Sequence, residues 1–228
     1  MDTTHTSFAA RDGRRLTLET QGSGRPLLCH PGGPGFSGSY FEDLGDVAGE
    51  RTVVGLNPAG TGGSDPWPEE RYSLDRCGAR ERFFSRKDRA PEFRAPVAAA
   101  RERMSGVELT RERQTDVLFA SFLLYFERLS PQVHAFVERI ATGEPPDLSA
   151  LDSFNAQVDS FDLRPDLPRI DAQALVVYGT GELERASEDD LVAGLPNARL
   201  ALIGDAGHFP WVEQPERFRE AVLDFLSE

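Results

Sequence analysis

Four short apolar runs, each ended abruptly by a glycine-rich turn, restrict this chain more than any other feature. They are Pro26-Leu27-Leu28-Cys29, Thr52-Val53-Val54-Gly55-Leu56, Ala174-Leu175-Val176-Val177-Tyr178 and Ala198-Arg199-Leu200-Ala201-Leu202-Ile203. Runs this short that stay largely apolar without strict alternation match strands covered on both faces of a parallel sheet. Helical patterns between them can supply the crossovers, so the expected fold class is α/β, a mainly parallel sheet flanked by helices. In such a sheet the turns that follow the strands gather on one edge, and ligands bind there.

The remaining chain fits around that sheet. Thr6 to Thr20 folds back about Asp12-Gly13, and Arg15-Leu16-Thr17-Leu18-Glu19-Thr20 alternates polar and apolar, predicting an antiparallel hairpin at a sheet edge. A helical stretch is expected around Tyr40 to Ala48. At Ser73 the chain changes character: residues 75 to 88 are strongly charged, and helices are predicted over Pro91 to Met104, Thr110 to Leu129, Ser130-Pro131 to Gly143, and about Ala150 to Val158. The second carries Val117, Leu118, Phe122, Tyr125, Phe126 and Leu129 at helical spacing. Ser130-Pro131 reads as a cap followed by a first-turn proline. Phe119, Phe122, Tyr125, Phe126, Phe136, Phe154 and Phe161 crowd this region as a helical mini-core, as walls of a substrate pocket, or as both. The α/β pattern resumes after Pro165, with Ser187 capping a helix through Ala193 and a last amphipathic helix starting near Pro215. Residues 1–74 and 165–228 are therefore expected to form the core, and 75–164 a helical cap.

Composition narrows the partners. Among 228 residues, 38 acidic and 25 basic side chains leave a net charge of −13, which disfavours nucleic acid and anionic membranes and tolerates a cationic substrate. No apolar run approaches the roughly 18 residues of a membrane span, and the polar opening lacks the pattern of a leader, so a cytoplasmic location is expected. Cys29 and Cys77 suggest reduced thiols. His5, His30, His134 and His208 are scattered and no cysteine cluster occurs, so no metal is expected. Gly60-Thr61-Gly62-Gly63 lacks a following Gly-Lys-Ser/Thr, and no G-x-G-x-x-G opens a helix, so no cofactor is expected.

Three of the strand-ending turns carry complementary groups. In His30-Pro31-Gly32-Gly33-Pro34-Gly35, paired glycines allow close approach of the main chain while the prolines remove competing donors. Its N–H groups can converge on one oxygen as an oxyanion hole, or the loop is a tight turn with no chemistry. Glu182 offers a carboxylate just past one strand and His208 an imidazole just past the last. A carboxylate that orients an imidazole beside an oxyanion hole is most of an acyl-transfer site.

These segments resemble the proline iminopeptidase-like group of the α/β-hydrolase superfamily. His30 to Gly35 is similar to that group's oxyanion loop, and Asn57-Pro58-Ala59-Gly60-Thr61-Gly62-Gly63-Ser64-Asp65 to its second glycine-rich loop, with Ala59 where arginine is usual. Gly204-Asp205-Ala206-Gly207-His208-Phe209-Pro210-Trp211-Val212-Glu213-Gln214-Pro215-Glu216-Arg217-Phe218 resembles the segment that begins with the catalytic histidine. Gly179-Thr180-Gly181-Glu182 resembles the acid loop, where aspartate is usual. The resemblance covers roughly residues 6 to 74 and 165 to 228 and implies an α/β-hydrolase-type sheet. It implies His208 and Glu182 as catalytic residues, Gly32 and Gly33 as oxyanion donors, and a small-molecule or short-peptide substrate.

The family's serine sits in G-x-S-x-G on a strand-to-helix turn, and this chain has no such string. Gly35-Phe36-Ser37-Gly38-Ser39 is nearest, with Ser37 the residue available as a displaced nucleophile; Ser64 also lacks the pattern. Tyr72-Ser73-Leu74 runs almost directly into charged sequence, leaving no room for the roughly 30 residues of a further βαβ unit, so the sheet is expected to be shortened in its centre. The strand at Ala174 is then available to pair with that at Leu27. Two functions remain open: impaired hydrolysis of a peptide, amide or ester bond, or a non-catalytic hydrolase-fold protein that binds a ligand or partner, including an internally deleted hydrolase. A sheet lacking central strands also offers an edge for a homo-oligomer.

Overall fold

The predicted hairpin forms at the front of the chain. A computed structural model describes residues 2–10, 13–31, 36–65, 87, 90–105, 110–142, 164–181 and 192–227. In it β1 (Thr4–Ala9) pairs antiparallel with β2 (Arg15–Gly22), Phe8 opposite Leu16. The short β3 (Pro26–Cys29) lies parallel to β4 (Thr52–Asn57), Leu27 opposite Val53, and β4 pairs antiparallel with β2, Asn57 opposite Thr17. The sheet order is β1-β2-β4-β3. Although β4 reads as a continuous apolar run, it buries Val53, Gly55 and Asn57 fully and the alternate positions only partly. A Cβ at Gly38 would lie 2.7 Å from the Gly55 carbonyl carbon, so the turn Gly38–Phe41 packs against β4 by backbone contact. Phe41, Leu44, Val47 and Ala48 are buried in the same unit.

The segment from Tyr40 to Ala48 corrects the expected helix. It forms two 3₁₀ turns, Gly38–Phe41 and Val47–Gly49, separated by positive φ at Glu42, Leu44, Gly45 and Asp46. The Asp43 carboxylate accepts the Asp46 N–H at 3.2 Å, a local bond that competes with a helical turn.

The helical region follows the sequence more closely. The turn Pro91–Phe93 leads into α1 (Arg94–Met104). Then α2 (Arg111–Phe122) is capped by the Thr110 hydroxyl, which accepts the Arg113 N–H, and α3 (Pro131–Thr142) by the Ser130 hydroxyl, which accepts the Val133 N–H. Phe93, Val97, Ala100 and Leu124 pack as one buried cluster. The helix expected through Leu129 instead ends at Phe122, tightens into a 3₁₀ turn over Leu123–Tyr125, and becomes extended at Phe126. Its last peptides are held by side chains from elsewhere in the chain, described below.

The late strands form a second sheet, β5 (Ala174–Gly179) parallel to β6 (Ala198–Ile203), Val176 opposite Leu200. A single turn, α4 (Pro210–Glu213), and a longer helix, α5 (Pro215–Ser227), close the chain. Among the described residues β3 has one ladder neighbour, β4, and β5 has one, β6, so the pairing of the Ala174 strand with the Leu27 strand is not among the ladders formed. The chain divides into two compact units, Met1–Leu74 with Thr142–Asp162 and Phe218–Glu228, and Asp75–Ala141 with Leu163–Arg217. Within the first unit Arg219 of α5 pairs with Glu50. Gly32, Gly33, Cys77, the helix expected over Ala150 to Val158, Phe154, Phe161, Glu182 and Ser187 lie outside the described residues.

Candidate active site

His208 is placed by the turn that ends β6. Asp205 takes a left-handed conformation, φ 56°, which reverses the chain. The stem of the β5 turn is hydrogen-bonded alongside: Thr180 N–H donates to Ile203 O at 2.9 Å, Gly181 N–H to Ala206 O at 2.8 Å, and Asp205 N–H to the Thr180 hydroxyl at 3.2 Å. This approach needs glycine at 179, because a Cβ there would overlap the carbonyl oxygens of Ala206 and Gly207. The segment leading directly into Glu182 is thus joined to the segment leading into His208.

His208 itself is exposed, and its backbone N–H donates to Tyr125 O at 2.7 Å. Its ring lies 5.2 Å from that of Tyr125 and 5.0 Å from that of Phe209, edge-on to the latter. Phe209 is buried and touches Phe122, Phe126 and Phe136 at ring separations of 5.0 to 5.5 Å. The aromatic residues of the helical region therefore form a mini-core in which Phe209 is rooted, and each pair adds about 0.5–1.5 kcal/mol beyond the area it buries. The exposed His208 therefore sits beside a buried aromatic cluster.

Glu213 secures the same turn from below. One carboxylate oxygen accepts the N–H groups of Glu127 and Arg128, at 2.8 and 3.1 Å, and the other accepts the Gly207 N–H at 2.6 Å. A Cβ on Gly207 would overlap Tyr125 O, so this position also requires glycine. The buried Lys87 donates its ammonium to Phe126 O at 2.6 Å, pairs with Glu127 at 3.7 Å and lies 4.4 Å over the Phe93 ring. Nothing in local sequence marks Lys87; Glu213 lies in the segment that resembles the catalytic-histidine motif, where its residue type alone assigns it no role.

In the first unit a buried polar network organises the glycine-rich loop. The fully buried Asn57 accepts the Gly38 N–H at 2.6 Å and donates to the Thr17 hydroxyl at 2.9 Å and to Gly62 O at 3.3 Å. Thr17 donates to Gly62 O at 2.6 Å. The Ser64 hydroxyl accepts the Thr17 N–H at 2.9 Å and donates to Asn57 O at 2.8 Å. Ser64 is therefore a structural hydroxyl, with its proton committed to a carbonyl. Asn57 was legible only as a polar residue ending an apolar run.

Ser37 is half-buried, and its hydroxyl lies 2.6 Å from that of Ser39. It belongs to the first unit and His208 to the second. Burial pushes the Cys29 thiol up to about 11, so it stays protonated near neutrality and is no nucleophile there. Among the described residues no group of His, Cys, Asp and Glu is arranged to hold a metal ion, and no helix is long and apolar enough to cross a membrane.

No family model matches the chain. It is 42% identical over 81 residues to the polyketide synthase ThaQ of Burkholderia thailandensis, a match covering 35% of this chain and 4% of that protein. It is 31% identical over 88 residues to a proposed carbamate hydrolase, RutD, of Stutzerimonas stutzeri, covering 37% of this chain and 32% of that one. The matches thus span a third or less of these relatives' lengths. Among solved structures, an α/β-fold family hydrolase from Bacillus anthracis superposes with a TM-score of 0.66 at 14% identity, covering 98% of this chain and 99% of that one. A thermophilic esterase from Thermogutta terrifontis gives 0.63 at 19%, covering 100% and 98%. The chain has the fold of the α/β hydrolases, in a shortened form.

Proposed function

We propose that this protein hydrolyses an ester, amide or carbamate bond with His208 as general base. The observation that most supports this reading is the hydrogen bonding of the turn carrying His208 to the stem leading into Glu182, with His208 exposed beside a buried aromatic cluster. His208 takes a proton from the attacking oxygen, Glu182 orients the ring and favours its cationic form, and the Gly32 and Gly33 N–H groups receive the charge developing on the carbonyl oxygen. Collapse of the tetrahedral intermediate returns the proton to the departing alcohol or amine. The attacker is water or the displaced Ser37 hydroxyl, with residues 75–164 capping the site. A proline iminopeptidase-like preference for a free N-terminal residue follows from the motifs at His30 and His208, and the carbamate follows from the name of RutD. Turnover is slow, because an acyl-transfer site without its nucleophile keeps only the acceleration supplied by oxyanion donors and binding.

A second reading is a hydrolase-fold protein that binds without turnover. The commitment of the Ser64 hydroxyl, together with a sequence free of G-x-S-x-G, favours it. Hydrolysis of p-nitrophenyl acetate and of an N-terminal proline anilide separates the two. Replacing His208→Ala should lower ester hydrolysis by about 10²-fold. A fluorophosphonate adduct mapped to Ser37 would identify the displaced serine, and hydrolysis without an adduct would identify water. No His208-dependent hydrolysis together with no adduct would overturn the hydrolytic reading in favour of the binding one.

A further inference from the structure

Between Phe126 and Glu127 a single peptide group joins a buried ammonium and a half-buried carboxylate. Its carbonyl oxygen accepts the Lys87 ammonium at 2.6 Å, and its N–H donates to the Glu213 carboxylate at 2.8 Å. The next N–H, of Arg128, goes to the same carboxylate oxygen at 3.1 Å. The other oxygen takes the Gly207 N–H at 2.6 Å, and His208 bonds back to Tyr125 O at 2.7 Å. We infer that Glu213, with Lys87 acting through the shared peptide, is the positioning residue that fixes His208. This inference rests on the hydrolytic role proposed for that histidine.

Once Glu213 is ionised, its donors and the Lys87 ammonium are arranged to match the charge. A cation on the carbonyl and an anion on the N–H polarise the peptide in the same sense, so each bond strengthens the other. Three donors aimed at one carboxylate also demand an acceptor on both oxygens. Glutamine supplies only one such oxygen, and its amide places N–H against the Gly207 N–H. Among the described residues, charged groups at this assembly include Glu127, paired with Lys87, and Arg128, paired with Asp205, with His208 next in chain to Gly207. Tyr125 to Arg128 and Gly207-His208 are therefore one hydrogen-bonded assembly with Glu213 at its centre.

Amide hydrogen exchange reads this assembly without needing turnover. In the full chain, Glu213→Gln should lower protection of the His208 amide by at least about tenfold while the β6 amides of Leu200 and Leu202 stay within about twofold. Lys87→Met should lower the same amide and, by removing the ammonium, move the Glu213 carboxyl midpoint, read by carbon NMR, to higher pH. If ester hydrolysis is present, Glu213→Gln should reduce kcat and leave KM within about twofold. Loss of His208 protection in a chain without His208-dependent hydrolysis supports the clamp and overturns only the hydrolytic role. An unchanged His208 amide in Glu213→Gln, an equal loss across β6, or an unmoved Glu213 midpoint in Lys87→Met overturns the inference.

Discussion

Burial raises the pKa of Glu213 above its ordinary value of 4.5, outweighing the backbone donors of Gly207, Arg128 and Glu127 and the charge of Lys87, all of which lower it. The folded carboxyl holds its proton to higher pH than the same group in the unfolded chain. Its contribution to stability is therefore complete below 4.5 and is lost as pH rises through the raised folded value. Glutamine at 213 does not titrate, so urea unfolding of the wild type and of Glu213→Gln, compared at a series of pH values, should isolate the effect. The wild type should lose stability relative to the variant across that window and then run parallel to it. A constant difference, or one that grows in favour of the wild type as pH rises, would contradict the assignment. Single residues of this kind were the least legible from sequence. His208 stood out because it follows a strand and a glycine turn, whereas Lys87 and Glu213 gain their roles from partners 39 and 86 positions away.

At the level of elements, the glycine-rich loop after β4 owes its shape to Asn57, which links β2, β4, the loop itself and the turn at Gly38. Leucine at this position would leave the Gly38 N–H without its acceptor and the Thr17 hydroxyl without one donor. The Thr17 hydroxyl keeps Gly62 O, so the orphaned Gly38 N–H sets the cost at about 1–3 kcal/mol, and Asn57→Leu should lower unfolding free energy by about 2 kcal/mol in urea titrations. A loss below about 0.5 kcal/mol would show that the network rearranges at little cost. Elements whose identity rests on local pattern formed where expected: the hairpin by alternation, β3 to β6 as apolar runs, α1 and α3 by periodicity and caps. Two did not. The stretch around Tyr40 yielded to aspartate-assisted turns, and α2 stopped at Phe122 because the peptides beyond it bond to Lys87 and Glu213 in place of their own helix.

For the whole molecule, a net charge of −13 on 228 residues means that the folded chain repels itself. Screening weakens that repulsion more in the compact state than in the expanded one. Raising salt from about 20 to about 200 mM at neutral pH should therefore raise the Tm, as followed by circular dichroism, and a falling Tm would show that attractive ion pairs dominate. The class of fold was available from sequence alone, because short apolar runs ended by glycine-rich turns mark the strands of an α/β sheet; that those strands are covered on both faces does not hold, since Leu28 and Leu202 stay exposed. Residue types at the turns suggested His208, Glu182 and the Gly32-Gly33 loop as an acyl-transfer set, of which His208 alone lies among the described residues. Tertiary structure alone decided that β5 takes β6 as its ladder partner, that the Ser64 hydroxyl is spent on Asn57, and that a buried ammonium and a half-buried carboxylate share one peptide near His208. Those outcomes depend on distances between residues far apart in the chain, and such distances leave no trace in local pattern.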